Sequence, residues 1–417
     1  MPSPYRRPPR IAAGCAMVAL ATAIAGPVWA DPAPAFEALL QQIGASPTMA
    51  EADALRDAAE ARVRQARIRP NPTLALDVEN AFGSGPFEGL GNAETTLGVT
   101  QDLELWGRRS ARVDVARAEA ETAALRRDLA VVDAAGRLAL VYAEAEAAER
   151  RSQLAEEALS VTLADARAAL TLVEEGREPM VRALQGESEA ATARATLDEV
   201  QAERDAAFAR LTAAAMLPTP VTAIEVSLID RVPAASMVSS HTTPIVRVAE
   251  AERDAAERRI AVERIQSRPD VSASVGVRHY EAEDATALTV GLSLALPLFD
   301  RNRGNIDAAQ AEFRAAEARL RGARQEAQAD RNAAVARLNA SSSRVTATDA
   351  GVAAAQEAYR LSRIGFDAGR ISQLELRSSR AALISSRNAA VDARLARVRA
   401  EIDLARLQGR APFGVVR

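Results

Sequence analysis

Side chains able to do chemistry are few and scattered in this sequence. The two histidines, His241 and His279, are far apart, and neither has a second histidine at metal-ligand spacing. Both read as loop or rim residues, so no metal site is expected. Acid pairs such as Glu156-Glu157 sit among ordinary charged helix positions, with no apolar pocket to separate their pKa values for general acid-base work. The Gly83-Ser84-Gly85 run lacks a lysine and a following phosphate-binding helix, and reads as a loop. The only cysteine is Cys15. Neither catalysis nor a bound cofactor is expected from such a set.

The elements around these residues point elsewhere. Arg6, Arg7 and Arg10 precede an alanine-rich apolar stretch over 11–24, and Val28-Trp29-Ala30 has the small-residue pattern of a cleavage site. Residues 1–30 are therefore read as a signal peptide of an exported protein. A lipidated Cys15 would leave only residues 11–14 as the apolar region, which is too short. With Cys15 removed, the mature chain has no disulfide, thiol nucleophile or cysteine-based metal site. All 52 basic residues are arginine, and removing residues 1–30 takes the net charge from −4 to −7. That acidity disfavours nucleic acid as a partner. Aromatics make up only 3% of the 417 residues, and long alanine and arginine stretches indicate extended helices packed through small side chains. Beyond the N-terminus no run of about 18 apolar residues occurs, which excludes a polytopic helical membrane protein but not a membrane β-barrel.

The chain is read as two copies of one unit. Arg67-Ile68 and Pro72 recur as Arg264-Ile265 and Pro269 at an offset of 197; Val113-Asp114, Glu119 and Gly176-Arg177 recur as Ile306-Asp307, Glu312 and Gly369-Arg370 at 193. The change of four falls between the two strands of each copy. In the first copy Leu74, Leu76 and Val78, and then Leu97 and Val99, alternate with small or polar residues. In the second, Val271, Ala273, Val275 and Val277 do so, followed by Leu288, Val290, Leu292, Leu294 and Leu296. Period two over about 8–10 residues predicts strands with one apolar face, long enough for a tilted bilayer crossing and equally compatible with a half-buried soluble hairpin. Proline-free stretches rich in Ala, Leu, Glu and Arg predict long helices, one of about 67 residues that would run about 100 Å. Gly176 and Gly369 suit reversing turns at their ends.

The expected layout is residues 31–216 as the first repeat, with strands about 73–80 and 95–103 and helices about 108–175 and 180–216. An inter-repeat segment follows at 217–244. The second repeat covers 245–417, with strands about 270–279 and 287–296 and helices about 301–368 and 373–409. Four strands cannot close a membrane barrel, and open edges are not tolerated in lipid, so membrane-spanning strands would require several chains in a ring. A periplasmic coiled-coil scaffold or adaptor without a barrel is the alternative; it accounts for the helices and leaves the strands without a purpose.

An exported, duplicated chain with helix-strand-strand-helix in each half resembles the TolC family of outer membrane efflux proteins. Arg69-Pro70-Asn71-Pro72 before the first strand and Pro297-Leu298-Phe299-Asp300-Arg301-Asn302-Arg303-Gly304 after the fourth carry the resemblance. The latter segment, with Gln101-Asp102-Leu103-Glu104-Leu105-Trp106-Gly107-Arg108-Arg109, is similar to the CzcC-like branch that serves heavy-metal efflux. The resemblance implies a mainly α fold with a membrane β-barrel. In it a homotrimer contributes four strands per chain to a twelve-stranded barrel in outer membrane lipid, continued by a long α-helical barrel in the periplasm. It further implies a passive exit duct, for metal cations in that branch, served by a periplasmic adaptor and an inner membrane pump of the RND type. By the same resemblance, the turn carrying Asp367, Arg370 and Glu375 matches the segment that closes the periplasmic end; Ser378 stands where a second acid is common. The other turn, with Glu174, Glu175, Arg177 and Glu178, supplies acids that would replace it. Acids repeated about a threefold axis would attract cations, while Arg177 and Arg370 would link the closed state.

Overall fold

The computed structural model describes residues 32–231 and 242–414. The signal segment, Cys15 and His241 lie outside the described residues. Seven α-helices and four strands follow in order: α1 Phe36–Gln42, α2 Pro47–Ala66, β1 Thr73–Glu79, β2 Glu94–Leu103, α3 Arg108–Glu174, α4 Met180–Ala214, α5 Pro244–Gln266, β3 Asp270–Tyr280, β4 Ala285–Ala295, α6 Arg303–Asp367 and α7 Gln373–Leu407. Among the described residues no helix is long and apolar enough to cross a membrane.

The duplication is visible as geometry. Helices α4 and α7 each span 35 residues and begin at Met180 and Gln373, an offset of 193. Helices α3 and α6 span 67 and 65 residues and end at the same offset, so the two-residue difference lies at their starts. Helices α2 and α5, whose bounds the hydrophobic pattern leaves undefined, open alike. Ser46 and Thr243 take the N-cap position, each followed by a proline whose missing N–H costs nothing in the first turn.

The reversing turns have one chemistry. At the end of α3 the Gly176 N–H donates to the Val173 carbonyl at 3.0 Å and the Arg177 N–H to Leu172 at 2.9 Å. At the end of α6 the Gly369 N–H donates to Phe366 at 2.9 Å and the Arg370 N–H to Gly365 at 2.7 Å. These are paired Schellman closures, and the glycines adopt φ of +70° and +68°, where a Cβ is strained.

Helix α3 is the spine. Beside the sheet it packs on α2 and α5, with α6 beyond α5; toward the turns it packs on α4 and α7, with α6 beyond α7. The chain is thus a layer with α2, α4 and β1 along one edge and α6 and β4 along the other. Alanines carry the close packing: Ala135, Ala139, Ala143, Ala145 and Ala147 of α3 are fully buried. Helix α6, by contrast, buries only Ala309, Ala316, Leu320, Ala334 and Ser341 along its whole length. So long a helix is thus left largely bare within one chain.

The main core lies midway along α3, where α1, α4, α7 and the 221–231 segment converge. Phe36 meets Tyr142 edge-to-face at 6.0 Å, and Leu211, Ile229 and Val398 fill the same cluster. Buried Glu146 clamps the segment to α3. Its carboxylate accepts from the N–H groups of Leu228 and Ile229 at 2.7 and 3.1 Å, from the Ser227 hydroxyl at 2.6 Å and from Arg150 at 2.7 Å. Buried Arg397 donates to the carbonyls of Ile229 and Arg231 at 2.9 and 2.6 Å. With only a single bridge to Ala33, the segment has its backbone groups satisfied mainly by side chains from α3, α4 and α7.

Candidate functional site: the sheet and the paired turns

The four strands form one antiparallel sheet in the order β1-β2-β3-β4. Pairing fixes which residues share a row. Leu74 lies opposite Val99, Val99 opposite Val275, and Val275 opposite Val290; the next row is Leu76, Leu97, Val277 and Leu288. These side chains share one face, and the face is bare: Leu76 is 64%, Leu288 71% and Val290 77% exposed. Rows of the other face read Thr73, Thr100, Ser274, Gly291 and Ala75, Gly98, Gly276, Thr289. A sheet with an uncovered apolar face, a small-and-polar face and two unpaired edges suits a lipid-facing wall with an aqueous lining, closed by further strands. As a soluble hairpin it would leave several leucines and valines in water.

Toward the strand-connecting loops the polar face carries one charged knot. Arg278 of β3 reaches Glu94 of β2 at 2.8 Å, Glu79 of β1 at 3.1 Å and the Thr96 hydroxyl at 2.9 Å. His279 stands on the opposite face, 2.9 Å from Glu281 and 3.4 Å from Thr286. Among the described residues no three His, Cys, Asp or Glu side chains gather as a metal site.

At the far end of the helices, about 100 Å from their starts by helix rise, the two turns carry the charges singled out in the sequence. Glu174, Glu175, Arg177, Asp367 and Arg370 are exposed. Arg177 pairs only with its neighbour Glu175, at 3.4 Å, and Glu178 only with Arg182, at 3.6 Å. Within the described residues Glu174, Asp367 and Arg370 make no side-chain ion pair. Glu375 is turned back into a capping box: its carboxylate accepts from the Ser372 N–H at 2.9 Å, and the Ser372 hydroxyl accepts from the Glu375 N–H at 3.3 Å. Glu375, in the turn matched to the closing segment, thus also serves to start α7.

Links between the two repeats at this end are made by arginines that sequence reasoning did not select. Arg182 donates to Gln373 at 2.7 Å, tying the starts of α4 and α7. Arg377 reaches Glu189 of α4 at 2.7 Å, and Arg380 pairs with Asp165 of α3. Their side chains are only 14% and 13% exposed, so these pairs are less screened than turn charges. Each partner lies about two hundred residues away in a chain dense with arginine and acid, which is why spacing alone does not reveal them.

The middle belt holds three shifted carboxyls. Burial raises Glu149, against the opposing pull of the Ile224 N–H that it accepts at 3.1 Å. Burial likewise raises Glu401, only partly offset by Arg397 at 3.3 Å. Burial also pushes on Asp230, but Arg150 and Arg394 overcome it and hold that carboxyl below the usual range.

Comparison with known proteins agrees with this architecture. A family model described as outer membrane efflux protein matches residues 39–215 and 241–410. The nickel-cobalt-cadmium resistance protein NccC of Alcaligenes xylosoxydans xylosoxydans is 38% identical over 300 residues, covering 71% of this chain and 68% of that protein. The nickel and cobalt resistance protein CnrC of Cupriavidus metallidurans is 39% identical over 281 residues, covering 66% and 67%. The fold matches the crystal structure of the outer membrane protein VceC from Vibrio cholerae with a TM-score of 0.74 at 22% identity, over 90% of this chain and 96% of that one. The long helices, the two-faced sheet and the duplicated repeats are those of the outer membrane efflux protein family, to which this chain belongs.

Proposed function

We propose that the protein is the outer membrane exit duct of a tripartite efflux system, passively conducting metal cations from an inner membrane pump and a periplasmic adaptor to the outside. The observation that carries this reading is the sheet: an uncovered apolar face opposite a polar one, with both edges open. Pairing the β4 edge of one chain with the β1 edge of the next brings α6 against α2 and α4 of the neighbour and gives α6 its missing partner. That contact is head-to-tail and closes as a ring. Three copies supply twelve strands, and the helices continue as a tube into the periplasm. Residues 31–216 and 245–417 act as the two repeats, with 217–244 as the belt between them. The turn end is the gate, with the Arg182, Arg377 and Arg380 links holding it shut and the free acids Glu174 and Asp367 drawing cations. The protein works as a passage rather than an enzyme.

The metal reading draws on the nickel, cobalt and cadmium resistance in the names of its relatives. Its test is removal of the gene from the source cell, followed by growth on graded nickel, cobalt and cadmium and on organic antibiotics. Loss of tolerance to a divalent metal alone supports it; loss confined to organic compounds contradicts the metal assignment while leaving the duct intact.

A further inference from the structure

The helix end of the sheet carries a charge pattern that conduction does not use. Arg67 and Arg69 precede β1, Arg109 follows β2, Arg264 precedes β3, and Arg301 and Arg303 follow β4, so the topology gathers all six at one level. All are exposed, and none makes an ion pair or side-chain hydrogen bond among the described residues. Most acids near that level are committed or turned away, and exposed Asp307 lies a helical turn beyond Arg303. Glu104 pairs with Arg112 at 2.6 Å, Asp270 with Arg108, Glu263 accepts from Asn302 at 2.8 Å, and Asp300 accepts the Asn302 N–H at 2.8 Å. Asp102 shares the polar face with Ser272. The opposite rim is reversed in sign, with Glu79, Glu94, Glu281, Glu283 and Asp284 against Arg278 alone.

Large apolar side chains stand beside these arginines. Leu298 is 65% and Phe299 fully exposed, and Trp106 is 48% exposed. The Trp106 indole N–H donates to the Pro269 carbonyl at 3.2 Å, and Arg268 lies 5.5 Å from its ring centre. Such a ring, apolar but anchored at its polar atom, sits well at a lipid headgroup boundary. Closing the ring of chains does not neutralise the level. The β4 edge brings Arg301 and Arg303, the β1 edge of the neighbour brings Arg67 and Arg69, and like charges meet.

We infer that this arginine collar binds the phosphate groups of anionic phospholipids in the leaflet facing the helices, with Trp106, Leu298 and Phe299 seated in the acyl boundary. Guanidinium forks suit phosphate oxygens, and surface arginines next to a bilayer select for anionic lipid. The inference rests on the membrane reading above.

The test is native mass spectrometry of the assembled protein released from nanodiscs containing equal phosphatidylglycerol and phosphatidylcholine. The wild type should retain phosphatidylglycerol several-fold over phosphatidylcholine, with the excess falling as salt rises. The variant Arg67→Gln/Arg69→Gln/Arg301→Gln/Arg303→Gln should bring the ratio near one. The lysine versions of those four, and a control carrying Arg314→Gln, Arg337→Gln and Arg363→Gln on α6, should keep it. Equal retention by the wild type, or an unchanged preference in the glutamine variant, overturns the collar. If the glutamine variant does not assemble, the wild-type ratio with its salt dependence and the single Arg301→Gln and Arg303→Gln variants decide, each single change being expected to lower the excess. Insertion without headgroup preference sinks the collar alone, whereas a protein that enters no nanodisc sinks the duct reading as well.

Discussion

Arg377 of the second repeat stands 2.7 Å from Glu189 of the first, and with the Arg380–Asp165 pair one turn further on it ties α7 to both helices of the first hairpin. Replacing both arginines with glutamine removes links that, if partly exposed pairs, are each worth up to about 1 kcal/mol. The expected outcome is a larger fraction of open time, several-fold above wild type, in single-channel recordings from planar bilayers. Arg177→Gln, which breaks only a local pair with Glu175, should leave the recordings unchanged.

The two faces of the sheet should respond oppositely to charge. Val290→Arg places a cation on the bare apolar face, at a cost of about 2–4 kcal/mol near a bilayer midplane, and should deplete the protein from the outer membrane fraction. Ser293→Arg, on the polar face, should be retained there and reduce conductance. Equal loss of both proteins from the membrane fraction would mean that the sheet does not separate lipid from water.

Glu146→Ala strands the N–H groups of Leu228 and Ile229 and leaves Arg150 with Asp230 and Ser227. Unsatisfied buried donors cost about 1–3 kcal/mol each, enough to free the 221–231 segment before the helices melt. Limited proteolysis should then cut within that segment at least ten times faster than in wild type; unchanged cutting would show that the apolar contacts of Leu228 and Ile229 hold it without the clamp.

Glu401 gives the pH dependence a sign. Its folded pKa is raised by burial, so the stability it contributes is full below its unfolded pKa and is lost as pH rises through the folded value. Well above the unfolded value, at pH 7.5, burying this carboxyl is therefore a liability, and Glu401→Gln should raise the Tm there, with the gain shrinking as pH falls into the carboxylate range. Asp230 behaves oppositely: with its folded pKa depressed, its contribution is present above the unfolded pKa and is lost as pH falls through the folded one. Asp230→Asn should therefore lower the Tm at pH 7.5 and matter less in acid. Thermal melts of both variants across pH 4–8 check the two signs together.

Much of this fold is legible in the sequence because it is periodic. Alternating Leu288, Val290, Leu292 and Leu294 can only face one way along a strand, and glycines at 176 and 369 end long helix-forming runs where a left-handed residue is required. The short helices Pro47–Ala66 and Pro244–Gln266 are dense in charge, and their Ser46-Pro47 and Thr243-Pro244 starts are the better signal. The turn end was legible as charge but not as pairing. Glu375 reads as a free acid until Ser372, three residues earlier, is recognised as its cap. Arg377 and Arg380 are two of many arginines, and only the crossing of the hairpins selects Glu189 and Asp165 as their partners.

The central claim is that several copies of this chain close one barrel in lipid and one tube beyond it. Electron microscopy of single particles extracted from the outer membrane fraction in mild detergent tests it most directly. The account predicts a threefold tube longer than about 100 Å, from the rise of α3, with a detergent belt at the sheet end alone. A monomeric or detergent-free particle, with the leucines of β4 covered by some other surface, would contradict it and favour a periplasmic scaffold.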